Sequence, residues 1–464
     1  MPRLMRCRYC GTLQDEPSGA KVCVQCGGEL VWEASPVEAD RSYVRAQMVL
    51  DQIAAPAGQV VERHLVLTVE TPDVVPAAEQ ASTASGREAL HFVAVLDISG
   101  SMQGAKIAAA KQAVLSAVQR LQDGDTFSMV TFSTDVRCPM SARQVDDGLR
   151  RAIRSSLQEI RAGGQTALCG GLEMGIEQAK AGRRDTNLVL LLSDGQANVG
   201  ETDVEAVGRR AMAARADGLT VSTLGVGRDY NEALMAEIAL DGGGRFYHIA
   251  DASQIAAYLT GELGEMASLA ARGAAVRLDL PQGASVQTLS TAYPVEGCEV
   301  LVGDIPVSTT LEIVVRVLLP PQPDGTRLPI EGVLRYRSPA GSTLSSPLNR
   351  VTVRYDATLL AGAGAVRPVV RRVLAHMQDA SVLATSKAAT RSPSDARTKS
   401  AGALASMRAY ANLLGEDEEV DAALDEGAQV LRAMAAPNRS GTKTKSATHA
   451  AMKRQRGSKE FGDV

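Results

Sequence analysis

Aromatic side chains are scarce in this chain: Phe, Trp and Tyr make up 3% of its 464 residues. Stacking platforms for nucleic-acid bases need such rings, so a base-stacking binder is disfavoured. The core must instead be built from Val, Leu, Ile and Ala. No uninterrupted apolar run approaches the roughly 18 residues that cross a bilayer, so no membrane span is expected. The opening "MPRLMRCRYCGTLQ" has basic residues with no apolar stretch behind them, and no secretory signal is expected. A Gly-x-x-x-x-Gly-Lys-Ser/Thr phosphate loop is also missing. "LGVGRDYNE" has Gly-x-Gly without the third glycine of a dinucleotide loop and reads as a strand-end turn. The formal charge of −4 is uneven: from Pro437 onward seven Lys/Arg face two Asp/Glu, which leaves the rest at −9. A body of that sign repels phosphate.

Cysteine is present in a pattern. Four of the seven form two Cys-x-x-Cys pairs, Cys7 with Cys10 and Cys23 with Cys26, each followed by glycine, with twelve residues between the pairs. A two-residue spacer lets both thiolates of a turn face one ion, and the glycine permits the bend. Four thiolates make a closed tetrahedral site, whose metal supplies the folding energy that so small a segment lacks. The segment resembles a zinc ribbon over about 25 residues, although neither knuckle has the proline often found in the spacer. That resemblance implies structural Zn²⁺ on Cys7, Cys10, Cys23 and Cys26. A redox role competes, but such motifs belong on βαβ units. Cys138, Cys169 and Cys298 are isolated and read as small buried apolar residues. With no export signal, this cysteine usage points to the cytoplasm.

Six segments follow from composition and periodicity: a ribbon at 1–33; a linker with one short helix, then strand(s), at 34–87; an α/β domain at 88–270; an all-β region at 271–357; a helical segment at 358–436; and a basic, disordered tail at 437–464. In the α/β part "LHFVAVLD" and "TNLVLLLSDG" are apolar throughout, as strands buried on both faces must be. Between the strands Ile107, Ala110, Val114, Ala117 and Leu121 mark one helical face. Strand–helix alternation argues for a Rossmann-like, doubly wound, mostly parallel sheet. The strands after Ala275 are spaced as in a β-sandwich. "QVVERHLVLTV", residues 59–69, has no local partner, so it is expected to join that sandwich, with the α/β domain inserted between. The polar stretch "TSKAATRSPSDARTKSAG" is expected to interrupt the C-terminal helices.

One loop carries the chemistry. "VLDISGSMQG" ends an apolar strand in Asp97 and follows it with Ser99 and Ser101. "RAGGQTAL" sets Thr166 after a Gly-Gly loop, and "LVLLLSDGQAN" sets Asp194 after the most apolar strand. In a doubly wound sheet ligands bind beyond the carboxyl ends of the strands, where all three segments end. Asp-x-Ser-x-Ser, then Gly-Gly-x-Thr, then a strand ending in Asp-Gly resembles a von Willebrand factor A domain with a complete metal-ion-dependent adhesion site, over roughly residues 88–268. The resemblance implies that Ser99 and Ser101 ligate directly, Thr166 directly in the partner-bound state, and Asp97 and Asp194 mostly through water. A donor set of hard oxygens with two carboxylates suits Mg²⁺ or Mn²⁺. An Asp or Glu of a protein partner would complete the shell.

Catalysis would need a base or a second metal beside these residues. His91 sits at the wrong end of its strand, and His248 reads as a strand residue. The expected function is therefore a non-enzymatic, intracellular, metal-dependent adaptor. Its layout resembles bacterial A-domain proteins, which implies AAA-type ATPases or kinase/phosphatase signalling components as partners. The alternative is nucleic-acid association through the ribbon (Arg3, Arg6, Arg8, Lys21) and the basic tail.

Overall fold

The computed structural model describes residues 4–6, 13–15, 42–81, 88–227, 229–359, 364–415, 417–436 and 441–456. Cys7, Cys10, Cys23 and Cys26, and with them the expected zinc ribbon, lie outside the described residues. Strands β1 (Leu4–Arg6) and β2 (Leu13–Asp15) pair antiparallel on either side of the first cysteine pair. The stretch expected as a linker with a short helix instead yields β3 (Arg45–Leu50) and β4 (Ala54–Pro56), ahead of β5 (Val61–Glu70). β3 runs antiparallel to β5 and buries Met48 and Leu50. Two buried positions are too few to show a strand period in sequence.

The chain divides into two compact units, the α/β one built around Ala81–Leu269. In order its elements are β6 (Leu90–Asp97), α1 (Ala105–Arg120), β7 (Thr126–Phe132), β8 (Val136–Gln144), α2 (Asp147–Glu159), α3 (Leu168–Ala181), β9 (Thr186–Ser193), α4 (Val204–Ala216), β10 (Thr220–Val226), α5 (Glu232–Asp241), β11 (Gly243–Ile249) and α6 (Ile255–Met266). The sheet order is β11-β10-β9-β6-β7-β8, parallel except for β8. Every residue of β6, β7 and β9 is buried. Phe92, Ala94 and Leu96 pack with Val114 and Ala117 of α1 and Leu259 and Leu263 of α6. On the opposite face Val95 meets α3, which approaches so closely that a Cβ on Gly175 would lie 2.5 Å from Val95 Cγ2. The chain leaves β6 toward β7 on one side and returns to β9 on the other. The sheet's topological switch therefore lies between β6 and β9.

The other unit is mostly antiparallel. Its strands after the α/β segment are β12 (Leu269–Asp279), β13 (Ser285–Thr288), β14 (Val295–Glu296), β15 (Glu299–Pro306), β16 (Thr310–Leu319), β17 (Arg327–Arg337), β18 (Thr343–Pro347) and β19 (Val351–Asp356). One sheet runs β13-β16-β5-β3; a second runs β14-β15-β12-β17-β19-β4, with β18 also on β17. β5 pairs with β16 from Val61↔Leu319 to Glu70↔Thr310, so chain that precedes the α/β unit shares a sheet with chain that follows it. The Asn349 amide ties the two sheets together: it accepts from Met48 N and donates to Met48 O, both at 2.9 Å.

Among the described residues four α-helices follow: α7 (Arg367–Arg391), α8 (Pro393–Ala411), α9 (Glu418–Met434) and α10 (Gly441–Arg456). Val369 and Val373 of α7 pack on Val66 and Val314 of the four-stranded sheet. The polar stretch expected to break the helical segment does so only at Ser392. Ser392 caps α8 by accepting from Asp395 N at 3.0 Å, with Pro393 in the first helical position. The tail expected to be disordered contains α10, whose buried positions are Lys445, Thr448, Ala451, Met452 and Gln455. They recur at helical spacing, but three of the five are polar, which hides the stripe from a hydrophobicity reading. Among the described residues no helix is long and apolar enough to cross a membrane.

Candidate metal centre

Asp97 is the last residue of β6 and Asp194 follows the last residue of β9, so both stand at the switch point. Thr166 lies two residues ahead of α3. Backbone bonds lace the three loops together. Gly100 N donates to Gly164 O at 3.0 Å and Gly163 N to Ile98 O at 2.8 Å. Gly164 has a φ of 85°, and a Cβ there would come within 2.8 Å of Thr134 Oγ1, so this position requires glycine.

All five sequence-derived oxygens gather in one place. Ser99 Oγ lies 3.0 Å from Ser101 Oγ, and Ser101 Oγ donates to Asp194 Oδ1 at 2.8 Å. Asp97 Oδ1 accepts from Ser99 N at 2.7 Å. The void they line is registered by Gly195. A Cβ placed on it would sit 3.2 Å from Ser101 Oγ, 3.2 Å from Thr166 Oγ1 and 3.7 Å from Asp97 Oδ2. Two loops thus point oxygens at a space beside the third that one methyl group would fill. Burial, opposed by hydrogen bonds from Ser193 and Ser99, raises the Asp97 carboxyl above its usual range, and the charge of Asp194 adds to the rise. Both carboxylates are buried, and each disfavours the other's charge. The residues fit a hard divalent ion: every donor is oxygen and two are anionic. Among the described residues no group of three or more His, Cys, Asp or Glu could hold a metal; an ion held here would take donors from three hydroxyls and two carboxylates.

Three residues of the centre escaped the sequence reading. Ser193 donates to Asp97 Oδ2 at 2.5 Å and fixes its free oxygen. Asn198 holds Thr166 by both backbone groups, accepting from Thr166 N at 2.8 Å and donating its own N–H to Thr166 O at 3.1 Å. Lys106, in the first turn of α1, pairs with Asp194 Oδ2. Lys106 is a cation at a helix N-terminus, which favours anions, but that alone does not name its partner. The two histidines set aside as bases lie elsewhere. His91 is on β6, 2.8 Å from Ser128 Oγ, and burial pushes it down to about 4. His248 on β11 bonds Tyr230 OH at 2.6 Å and is also pushed to about 4, first by burial and then by His449 and Lys445.

Comparison with known proteins bears on the fold that carries these residues. Residues 92–261 match the von Willebrand factor type A domain. The chain is 28% identical over 291 residues to the uncharacterized protein sll0103 of Synechocystis, covering 59% of this chain and 68% of that one. It is 30% identical over 182 residues to YfbK of Escherichia coli, covering 38% of this chain and 31% of YfbK. The match therefore spans under a third of YfbK. Among solved structures, a von Willebrand factor type A protein from Catenulispora acidiphila superposes with a TM-score of 0.62 at 18% identity, over 90% of this chain and 98% of that one. That likeness shows a shared fold beyond the type A segment.

Proposed function

We propose that this chain, which carries a von Willebrand factor type A domain, is a non-catalytic, metal-dependent protein-binding adaptor working inside the cell. Asp97, Ser99, Ser101, Thr166 and Asp194 would hold Mg²⁺ (or Mn²⁺), and the bound ion would supply a Lewis-acidic position for an Asp or Glu side chain of a partner protein. One observation carries the reading: oxygens of Asp97, Ser101 and Thr166 from two loops converge on the space beside Gly195, and Asp194, next to Gly195 in the third loop, accepts from the Ser101 hydroxyl, all at the switch point of the sheet. The rest of the chain's work is to hold that space open. Asn198 fixes the Thr166 backbone, Ser193 orients Asp97, and Gly164 lets two loops meet. The antiparallel sheets on either side of the type A segment in sequence serve as a frame, and a Zn²⁺ ribbon at Cys7, Cys10, Cys23 and Cys26 would add a second contact surface. AAA-type ATPases and kinase/phosphatase components fit as partners by resemblance to bacterial A-domain proteins.

The nucleic-acid alternative leaned on the basic tail, and one of its lysines is withdrawn from solvent: Lys445 is 2% exposed and pairs with Glu232 at 3.1 Å.

The test is a Mn²⁺ titration of the purified chain, followed by electron paramagnetic resonance, alongside a Mg²⁺-dependent pull-down. Wild type is expected to bind one Mn²⁺ at this centre. Asp97→Ala and Ser99→Ala should lose at least tenfold in affinity and lose partner capture, as EDTA does, with unfolding temperatures close to wild type. Full Mn²⁺ binding and capture by Asp97→Ala would refute the proposal.

A further inference from the structure

The feature of the centre that the adaptor reading leaves unused is Lys106. It stands in the first turn of α1, where the aligned peptide dipoles make a cation unfavourable. Its ammonium nonetheless reaches the Oδ2 of Asp194, a residue with no solvent exposure, and lies 3.4 Å from Ser101 O. The remaining Asp194 oxygen takes the Ser101 hydroxyl. Gly227, with a φ of 79°, borders the same ammonium: a Cβ there would lie 3.6 Å from Nζ. The lysine thus lies beside the loops after β9 and β10, with its ammonium on a carboxylate of the candidate metal centre.

Charge counting gives the consequence. Asp97 and Asp194 contribute two negative charges, and the three hydroxyls contribute none. Without Lys106 a divalent ion would bring the centre to zero. With Lys106 the filled centre carries one positive charge; both carboxylates are buried although the lysine side chain is 28% exposed, so the ammonium and the ion repel each other across a half-buried site. We propose that Lys106 is a positioning residue that loosens the hold on the divalent ion and reserves its open position for a monoanion, so that metal and a partner's carboxylate bind cooperatively. This rests on the metal reading of the centre. It gives that reading a reason for preferring a carboxylate over a neutral carbonyl or hydroxyl, namely the surplus positive charge that Lys106 leaves. Binding one ligand then tightens the other by the same factor.

The experiment uses the full chain and Mn²⁺ alone, then Mn²⁺ with acetate or acetamide. Lys106→Gln is expected to bind Mn²⁺ at least tenfold more tightly than wild type, about 1.4 kcal/mol. Acetate should tighten Mn²⁺ binding in wild type and do so several-fold less in Lys106→Gln, while acetamide should do neither. Lys106→Met, also uncharged, should reproduce the result and stands in if the glutamine variant misfolds. Lys111→Gln removes the same charge on α1 from a side chain bonded to Ile160 O, and should leave Mn²⁺ affinity where it was. Unchanged or weaker Mn²⁺ binding in both Lys106 variants, or an equal acetate effect in wild type and variant, overturns the proposal. Asp97→Ala separates the two claims. If it loses Mn²⁺ while Lys106→Gln matches wild type, the metal centre stands and the role of Lys106 falls. If it binds as wild type does, or wild type binds no Mn²⁺ at millimolar concentration, both fall.

Discussion

At position 195 the absence of a side chain leaves space between Ser101 and Thr166. Gly195 does not adopt a left-handed conformation, so alanine could take its backbone geometry without strain. The added methyl group would instead stand 3.2 Å from both Ser101 Oγ and Thr166 Oγ1, inside the space an ion would need. Gly195→Ala is therefore expected to cost at least tenfold in Mn²⁺ affinity while its unfolding temperature stays within a few degrees of wild type. A variant that kept its metal affinity would show that the ion sits elsewhere. Residue by residue, the centre was partly legible in sequence. Asp97, Ser99, Ser101, Thr166 and Asp194 each fall beside a strand end or Gly-Gly loop that can be read locally. Ser193, Asn198 and Lys106 were not legible, because their partners lie 96, 32 and 88 residues away and only the assembled sheet edge pairs them.

Between elements, the packing of α4 on α5 is bought with buried charge. Asp241 ends α5, where the helix dipole disfavours an anion. A Cβ on Gly208 of α4 would lie 2.5 Å from its carboxylate. Burial first, then repulsion from Glu237, raises the Asp241 carboxyl to about 6. An unperturbed aspartate carboxyl lies near 3.8. The folded state therefore holds the proton more tightly, and wild type loses stability from this group as pH climbs from about 4 to 6. Asp241→Asn removes the loss. It is expected to stabilise the chain by about 1–2 kcal/mol at pH 7.5 and by almost nothing at pH 4, after discounting for partial exposure. Urea denaturation at the two pH values measures this, and equal effects at both would contradict it. The same scale shows why some elements were readable and others were not. β6 and β9 are buried on both faces, so their residues must be apolar. β8 is an edge strand with alternating partial exposure and a proline, Pro139, so it lacks that signal. α10 buries Lys445 against Tyr230 and Glu232 and packs its stripe with polar residues, which composition averages into a disordered tail.

Over the whole chain, topology sets an order of events. Within the α/β unit the central pair β6–β9 joins residues about 100 positions apart, and β6–β7 joins residues about 35 apart. The ladder between β5 and β16 joins residues about 240 apart, such as Val69 with Leu311. Closing that loop through an unfolded chain costs more entropy than closing the loops inside the α/β unit, and the cost falls once the intervening segment has collapsed. The α/β strands are therefore expected to form first. In pulsed hydrogen exchange during refolding, peptides covering Leu90–Asp97, Thr126–Phe132 and Thr186–Ser193 should gain protection before those covering Val61–Glu70 and Thr310–Leu319. Substitutions that slow the first phase, such as Gly175→Ala with its Cβ 2.5 Å from Val95 Cγ2, should delay the second as well. The converse should not hold: Val66→Ala, on β5 in the cluster with Val314, Val369 and Val373, should slow only the later phase. Protection of β5 and β16 ahead of β6 and β9 would mean that the flanking sheets fold without waiting for the segment inserted between their strands.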